Sequence, residues 1–446
     1  MVDEKGKQEK LKLEIHEKVK EYYKLYLSKK NDFIPASGKK FDENEFIGIV
    51  DAALDACWTE GKVTEQFEEK FSNFLGIKHA IVVNSGSSAN LVALKTLTSS
   101  KLKEKRLKEG DEVITVAAGF PTTVNPIIEC GCIPVFCDVD LQTYSIKIDQ
   151  LEKAVSEKTK AVMVAHTLGN PFDIDAVRNI CKENNLWLIE DNCDALGSKY
   201  RGRYTGAFGD LSTFSFYPAH QITMGEGGAV CTNDAVISKI ARSFRDWGRD
   251  CWCKPGFSNT CGIRFDWKLG DLPKGYDHKY IFSEMGFNLK NTDLNVSIGL
   301  AQLDKLEDFI EIRKRNFGLL MKELNDCEYF ILPKAQEHSE PCWFGFVITI
   351  KENSKISRNE LTRFLFKNNI DSRLLFAGNL TKQPYFINNK IKYRIADNLK
   401  NTDLIMNNSF WVGVCPLIDN NDANKIVDCI KTFVEKNRKG EFLKAN

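Results

Sequence analysis

The chain has 446 residues, with 62 lysines and arginines against 61 aspartates and glutamates. So neutral a balance gives no electrostatic pull toward nucleic acid or an anionic membrane, and any anionic ligand needs a local site. No run of about twenty apolar residues reads as a membrane span and the Lys/Glu-rich start has no signal-peptide core, so a cytoplasmic protein with neither partner is expected.

Residues 1–35 carry apolar side chains (Leu11, Leu13, Ile15, Val19, Tyr22, Tyr23, Leu25, Tyr26) among lysines and glutamates, which predicts a helical extension docked on the main body. From there to residue 300, short apolar runs at 80–83, 113–116, 134–136, 161–165, 186–190, 211–216 and 229–232 alternate with helical segments. This pattern predicts an α/β domain whose seven-stranded, mostly parallel sheet is covered by helices. A charged helix near 303–324, a strand at 343–350 and a helix at 358–367 then predict a smaller α+β carboxyl-terminal domain over 301–446.

In such sheets the chemistry collects at the carboxyl ends of the strands, and the distinctive residues fall there. Asn84-Ser85-Gly86-Ser87-Ser88-Ala89-Asn90 follows the first strand and opens a helix, so its backbone N–H groups and hydroxyls suit a phosphate. Asp191 closes the buried run Leu186–Glu190, where a carboxylate needs a cationic partner such as a protonated pyridine nitrogen. Ser212-Thr213-Phe214-Ser215-Phe216 leads to His220 and to glycines 225, 227 and 228, a loop suited to pass close to a ligand. His166 ends the fourth strand, Asp194 follows Asp191 closely, and Arg245, Arg249 and Lys290 supply charge suited to a diphosphate.

Fourteen cysteines without a secretory signal indicate reduced thiols, most of them small core residues. Cys251, Cys253 and Cys261 differ, because three thiols in eleven residues of a Gly/Asn/Pro-rich insertion at about 245–285 suit a metal centre. Cys193, two residues and at most about 7 Å of backbone from Asp191, offers a fourth ligand. Structural zinc, an iron–sulfur cluster and unliganded thiols all fit this spacing.

Over roughly residues 35–440 the chain resembles the sugar-nucleotide aminotransferases, a family of fold-type I pyridoxal-phosphate enzymes. The resemblance implies that Gly86, Ser87 and Ser215 bind phosphate, Phe120 stacks on the pyridine ring, Asp191 pairs with its nitrogen and Asp194 helps hold it. Gly286-Phe287-Asn288 matches the segment whose Asn288 enters a neighbouring subunit's phosphate site, which implies a homodimer with shared active sites. His220 stands where the family carries the lysine that binds the cofactor covalently. An imidazole forms no stable Schiff base but moves protons near neutrality, so pyridoxamine 5′-phosphate (PMP) held non-covalently is expected in place of transaminase chemistry.

Members with this exchange are 3-dehydratases of nucleotide-linked 4-keto-6-deoxyhexoses. The branch carrying Cys193, Cys251, Cys253 and Cys261 is implied to hold a 2Fe-2S cluster and to act on CDP-4-keto-6-deoxy-D-glucose in making 3,6-dideoxyhexoses for lipopolysaccharide O-antigen. Its electrons are implied to come from a separate NADH-dependent reductase with flavin and its own iron–sulfur centre. The rival expectations are a cluster-free dehydratase of a GDP-linked sugar and an inactive binding relative.

Overall fold

The computed structural model describes residues 2–29, 31–251, 253 and 257–439. Strands form where the apolar runs predict them: β1 (His79–Val83), β2 (Glu112–Val116), β3 (Ile133–Cys137), β4 (Thr159–Ala165), β5 (Trp187–Asp191), β6 (Leu211–Ser215) and β7 (Gly228–Thr232). They lie in the order β1-β7-β6-β5-β4-β2-β3, and β7 alone runs against the others. Nearly every residue in them is buried, as strands covered on both faces require.

Further strands belong to the carboxyl-terminal third: β8 (Phe330–Ile331), β9 (Gly345–Ile350), β10 (Ser372–Leu374), β11 (Arg394–Ile395) and β12 (Ser409–Gly413). Four of them form an antiparallel sheet in the order β8-β9-β12-β10, whereas β11 pairs parallel with β3 and gives the large sheet an eighth strand. This added strand was not legible as an apolar run, because it is two residues long and held by charge. Arg394 donates through Nε and Nη2 to the two Glu112 oxygens, at 3.0 and 2.7 Å. Nearby, the buried Asp138 accepts from the backbone N–H groups of Asn401 and Thr402, each at 2.8 Å. The carboxyl-terminal third is therefore joined to the large sheet by ion pairing and hydrogen bonds as well as by strand pairing.

The helices that position the site are α1 (Val2–Tyr22), α2 (Glu43–Leu54), α3 (Lys62–Leu75), α4 (Gly86–Leu97), α5 (Pro121–Glu129), α6 (Ala235–Arg245), α7 (Asp293–Leu303) and α8 (Leu306–Leu324). The predicted helix at 303–324 thus begins at Leu306, after a break that follows α7. On one face of the sheet Phe67 and Phe71 of α3 pack against Phe214 and Phe216, with ring centroids 5.1–5.4 Å apart. These aromatic contacts fix the end of β6, from which the chain turns toward His220.

The amino-terminal helix forms, but it is not docked through an apolar stripe: Leu11, Leu13, Ile15, Tyr22, Leu25 and Tyr26 remain exposed. Leu11, Leu13 and Ile15 recur every second residue and cannot share one face of a 3.6-residue helix. Polar contacts attach it instead, with Lys12 and His16 on Asp51 at 3.0 and 2.7 Å and the Tyr23 hydroxyl on the Phe41 carbonyl. Among the described residues, no helix is long and apolar enough to cross a membrane.

Asp293, at the start of α7, closes the amino terminus of α3 from 229 residues away. Its carboxylate accepts from the N–H groups of Gly61, Val63 and Thr64 and from the Thr64 hydroxyl, at 2.7–3.1 Å. Replacing Asp293 by Ala leaves those buried donors unpaired, with an expected loss of about 2–4 kcal/mol that Asp293→Asn recovers in part. Urea unfolding midpoints of the two variants check this.

Candidate active site

The carboxyl ends of β1, β2, β4, β5 and β6 open onto a cavity of about 990 Å³, closed on its far side by Phe344, Arg373, Phe376 and Trp411 of the small domain. On its floor lies Asp191, 3% exposed, at the end of β5. Its carboxylate accepts from Asn90 Nδ2 at 2.9 Å, Thr123 Oγ1 at 2.7 Å and the Cys193 N–H at 3.0 Å. Asn90 is itself oriented by Thr213, whose hydroxyl donates to its amide oxygen at 2.6 Å. The carboxylate has donors but no ion pair among the described residues, and it lines the cavity, where a protonated pyridine nitrogen would suit it.

At the β1 end, Ser85 caps α4 by accepting from the Ser88 N–H at 3.1 Å, and Gly86 begins the helix. A Cβ at Gly86 would stand 2.4 Å from Ser215 Cβ, and one at Gly228 would stand 2.4 Å from the Ser85 carbonyl oxygen. Two glycines therefore let three chain segments meet where the first-turn N–H groups of α4 point outward. Ser85, Gly86, Ser87 and Ser215 all line the cavity, making one end of it an anion cup. Phe120, 52% exposed, precedes Pro121 at the start of α5 and sets its ring edge-on to Phe376 at 5.9 Å. An anion cup, an aromatic wall and a buried carboxylate together fit a phosphate-bearing pyridine.

His220 enters from the β6–β7 loop, its N–H bonded to the Tyr217 carbonyl at 3.0 Å and its ring tilted against Phe344 at 5.2 Å. Its Nδ1 is buried with no hydrogen-bond partner and lies 3.8 Å from Asp194 Oδ1. Burial, aided by the Arg313 guanidinium, pushes the imidazole pKa down to about 3. Burial and then the neighbouring Asp191 push the Asp194 carboxyl up to about 7, although the Leu168 N–H donates to it. The site thus holds a neutral imidazole able to accept a proton beside an acid poised near neutrality.

Several expected residues lie elsewhere. His166 is fully buried and stacked on Phe172 at 4.3 Å; its Nδ1 accepts from the Phe172 N–H and its Nε2 faces Glu190. Arg245 is consumed by Glu60, Asp246 and the Val82 carbonyl, while Arg249 and Lys290 lie over the Trp247 ring. None of these four lines the cavity. Asn288 is also outside it, pairing with Asp246 and accepting from Lys290 at 2.6 Å.

Of the four cysteines expected to hold a metal, Cys251, Cys253 and Cys261 lie together beside a histidine. The ligand atoms of Cys251, Cys253 and His278 lie within 4.8 Å of one another, and Cys261 Sγ is 3.3 Å from His278 Nε2. Against a desolvation that raises it, hydrogen bonds from Thr260 and Cys261 hold the Cys253 thiol down to about 6, near the thiolate that metals bind. Cys193 is not in this group. Its sulfur lies 3.1 Å from where a Gly86 Cβ would stand, on the cavity floor, and burial with Asp191 pushes its thiol well up. Cys193 follows the end of β5 and lines the cavity, whereas Cys251 lines a separate pocket with Ser238 and Arg242 of α6. Three thiols and one imidazole match in number the four donors that zinc or an iron–sulfur cluster takes. His278, in the same insertion, was not among the residues the sequence singled out.

Residues 40–431 match the DegT/DnrJ/EryC1/StrS aminotransferase family. The lipopolysaccharide biosynthesis protein RfbH of Salmonella typhimurium is 55% identical, over 90% of this chain and 91% of that one. The dTDP-4-dehydro-2,6-dideoxy-D-glucose 3-dehydratase of Saccharopolyspora spinosa is 52% identical, over 90% and 87%. Among solved structures, E. coli GDP-4-keto-6-deoxy-D-mannose-3-dehydratase with bound hydrated PLP matches at TM-score 0.80 and 28% identity, covering 90% of this chain and 99% of that one.

The raised Asp194 carboxyl makes folding pH-dependent. Its desolvation costs nothing below about pH 4, where both states are protonated, grows as the unfolded chain ionises, and is complete above about pH 7. Asp194→Asn removes that cost, so the gain in melting temperature of the cofactor-free protein is expected to grow between about pH 5 and pH 8. Thermal melts across that range check the sign.

Proposed function

Because the chain belongs to the DegT/DnrJ/EryC1/StrS aminotransferase family, we propose that it is a member which binds PMP without a covalent link and removes the 3-hydroxyl of a nucleotide-linked 4-keto-6-deoxyhexose. The observation that carries this reading is His220, a neutral imidazole with an unpartnered Nδ1 in the cavity that Asp191 and the α4 terminus also face. It is supported by two relatives, 52% and 32% identical, whose names are those of sugar-nucleotide 3-dehydratases, and by RfbH, named for lipopolysaccharide biosynthesis.

Each residue has a physical task. Gly86, Ser87 and Ser215 hold the phosphate, Phe120 covers the ring, and Asp191 keeps the ring nitrogen protonated by compensating its charge. When bound, PMP supplies an electron sink conjugated to the carbon that loses a proton. His220 takes that proton through an imidazole that is unprotonated at neutral pH, then holds it weakly enough to return it to the departing 3-hydroxyl. Asp194 lies beside both groups and steadies the imidazole while helping to hold the cofactor. Without a lysine amine, no side chain at position 220 can tether the cofactor's aldehyde form as a Schiff base.

The finer reading is CDP-4-keto-6-deoxy-D-glucose as substrate, 3,6-dideoxyhexose formation for O-antigen as setting, and a homodimer in which Asn288 completes the neighbour's phosphate site. It includes a 2Fe-2S cluster on Cys251, Cys253 and Cys261, reduced by an NADH-dependent flavin/iron–sulfur protein. The convergence of these three thiols supports the cluster; His278 and Cys193 are the two candidates for its fourth donor. The cluster-free alternative on a GDP-linked sugar draws on the match to the E. coli enzyme.

His220→Asn is expected to keep PMP affinity within about two-fold and to slow solvent-deuterium exchange at the PMP aminomethyl carbon by about a hundred-fold or more. Undiminished exchange, followed by NMR, would place the proton carrier elsewhere. Cys253→Ser is expected to abolish the visible absorption and the dithionite-induced paramagnetic signal while sparing dehydration. Comparing Cys193→Ser with His278→Ala in the same spectra identifies the fourth donor, and a wild-type protein free of iron would favour the GDP-sugar alternative.

A further inference from the structure

Arg313 lies on α8, in the small domain, and is fully buried. Its Nη1 donates to the carbonyl oxygens of Trp343 and Phe344 at 3.2 and 3.3 Å, and its Nη2 donates to the His220 carbonyl at 3.1 Å. Its Nε has no partner, and no carboxylate pairs with it among the described residues. Burying a guanidinium against carbonyls and over the Phe344 ring, 6.0 Å away, with no carboxylate to pair it still costs more than filling the same space with an apolar side chain, so a purely structural role leaves the charge unexplained. Three residues along α8, Asn316 already ties that helix to the Val414 and Ile418 carbonyls. Arg313 is thus free to face the large domain.

We infer that Arg313 is a positioning residue for His220: one guanidinium fork holds the backbone of the histidine and that of Phe344, the ring against which the imidazole rests. The imidazole is thereby located from two sides by one rigid group, across the domain boundary. The inference rests on the reading of His220 as proton carrier. The charged and titratable groups facing the imidazole are Asp194 at 3.8 Å and Arg313, with Asp191, Cys193, Glu226 and Arg373 also lining the cavity. The Arg313 charge adds to burial in keeping His220 unprotonated. An imidazole so placed accepts a proton only transiently, as a group that must first remove one and then return it requires.

The test uses the PMP-loaded enzyme with Arg313→Lys and Arg313→Met. The chain has 6 histidines, so ring-labelled histidine NMR can resolve His220, assigned with His220→Asn. Arg313→Met is expected to leave PMP affinity within about two-fold, slow solvent exchange by about ten-fold or more, and raise both the His220 titration and the acid limb of the exchange profile by about one pH unit. Arg313→Lys keeps the charge but not the fork, so exchange slows while the titration stays low. The proposal is overturned if Arg313→Met exchanges at the wild-type rate with an unmoved His220 titration. Should Arg313→Met fail to fold, wild-type exchange by Arg313→Lys overturns it. Should His220→Asn still exchange, the functional reading fails, while the His220 titration still decides what Arg313 does.

Discussion

The site is organised around a carboxylate that the fold buries without a cation. Asp191 stands at the end of a central strand, where leaving it charged is costly, and Asn90, Thr123 and the Cys193 N–H offset that cost only in part. A ligand with a positive ring nitrogen would offset the remainder, and the proposed cofactor carries one. Burial, and then this negative charge, raise the neighbouring Asp194 carboxyl, which lies close to His220. In the proposed reaction the same buried charge would both hold the cofactor's ring nitrogen and act on the acid beside His220.

Around it, the walls of the cavity come from the large sheet and from the carboxyl-terminal third of the chain. The large sheet supplies the anion cup and Asp191 from strand ends whose registry is locked by ladder hydrogen bonds and close glycine contacts. The small domain supplies the opposite wall and reaches across to His220 through Arg313 and Phe344. Since β11 and the Asp138 contacts anchor that part of the chain to the large sheet, His220 and the Asp191 pocket are held by one connected framework.

Much of this was legible beforehand, because it depends on short-range patterns. The seven buried runs became β1 to β7, since a strand covered on both faces must be apolar along its length. Gly86, Asp191, Ser215 and His220 fell on one cavity because strand ends and their following turns are marked by small, polar and glycine residues. Asn90 and Thr123 were not singled out: a helix-interior amide and hydroxyl carry no sign that they face a carboxylate on another strand. Arg313 looked like any charge on a charged helix. His166 stayed open between two readings, as a histidine at a strand end reads alike whether it faces a cofactor or stacks on Phe172.

By itself, then, the amino-acid order determined the α/β class and the succession of strands, since periodicity is a local property, while the exchange of lysine for His220 was legible only through the resemblance to a known family. Only the tertiary structure decided which distant side chains meet: that Asp293 closes α3, that Arg313 reaches His220, that Cys193 stays on the cavity floor while His278 joins the other three thiols. Such meetings are settled by where packed strands and helices end in space, and the separation of two residues along the chain does not encode that distance.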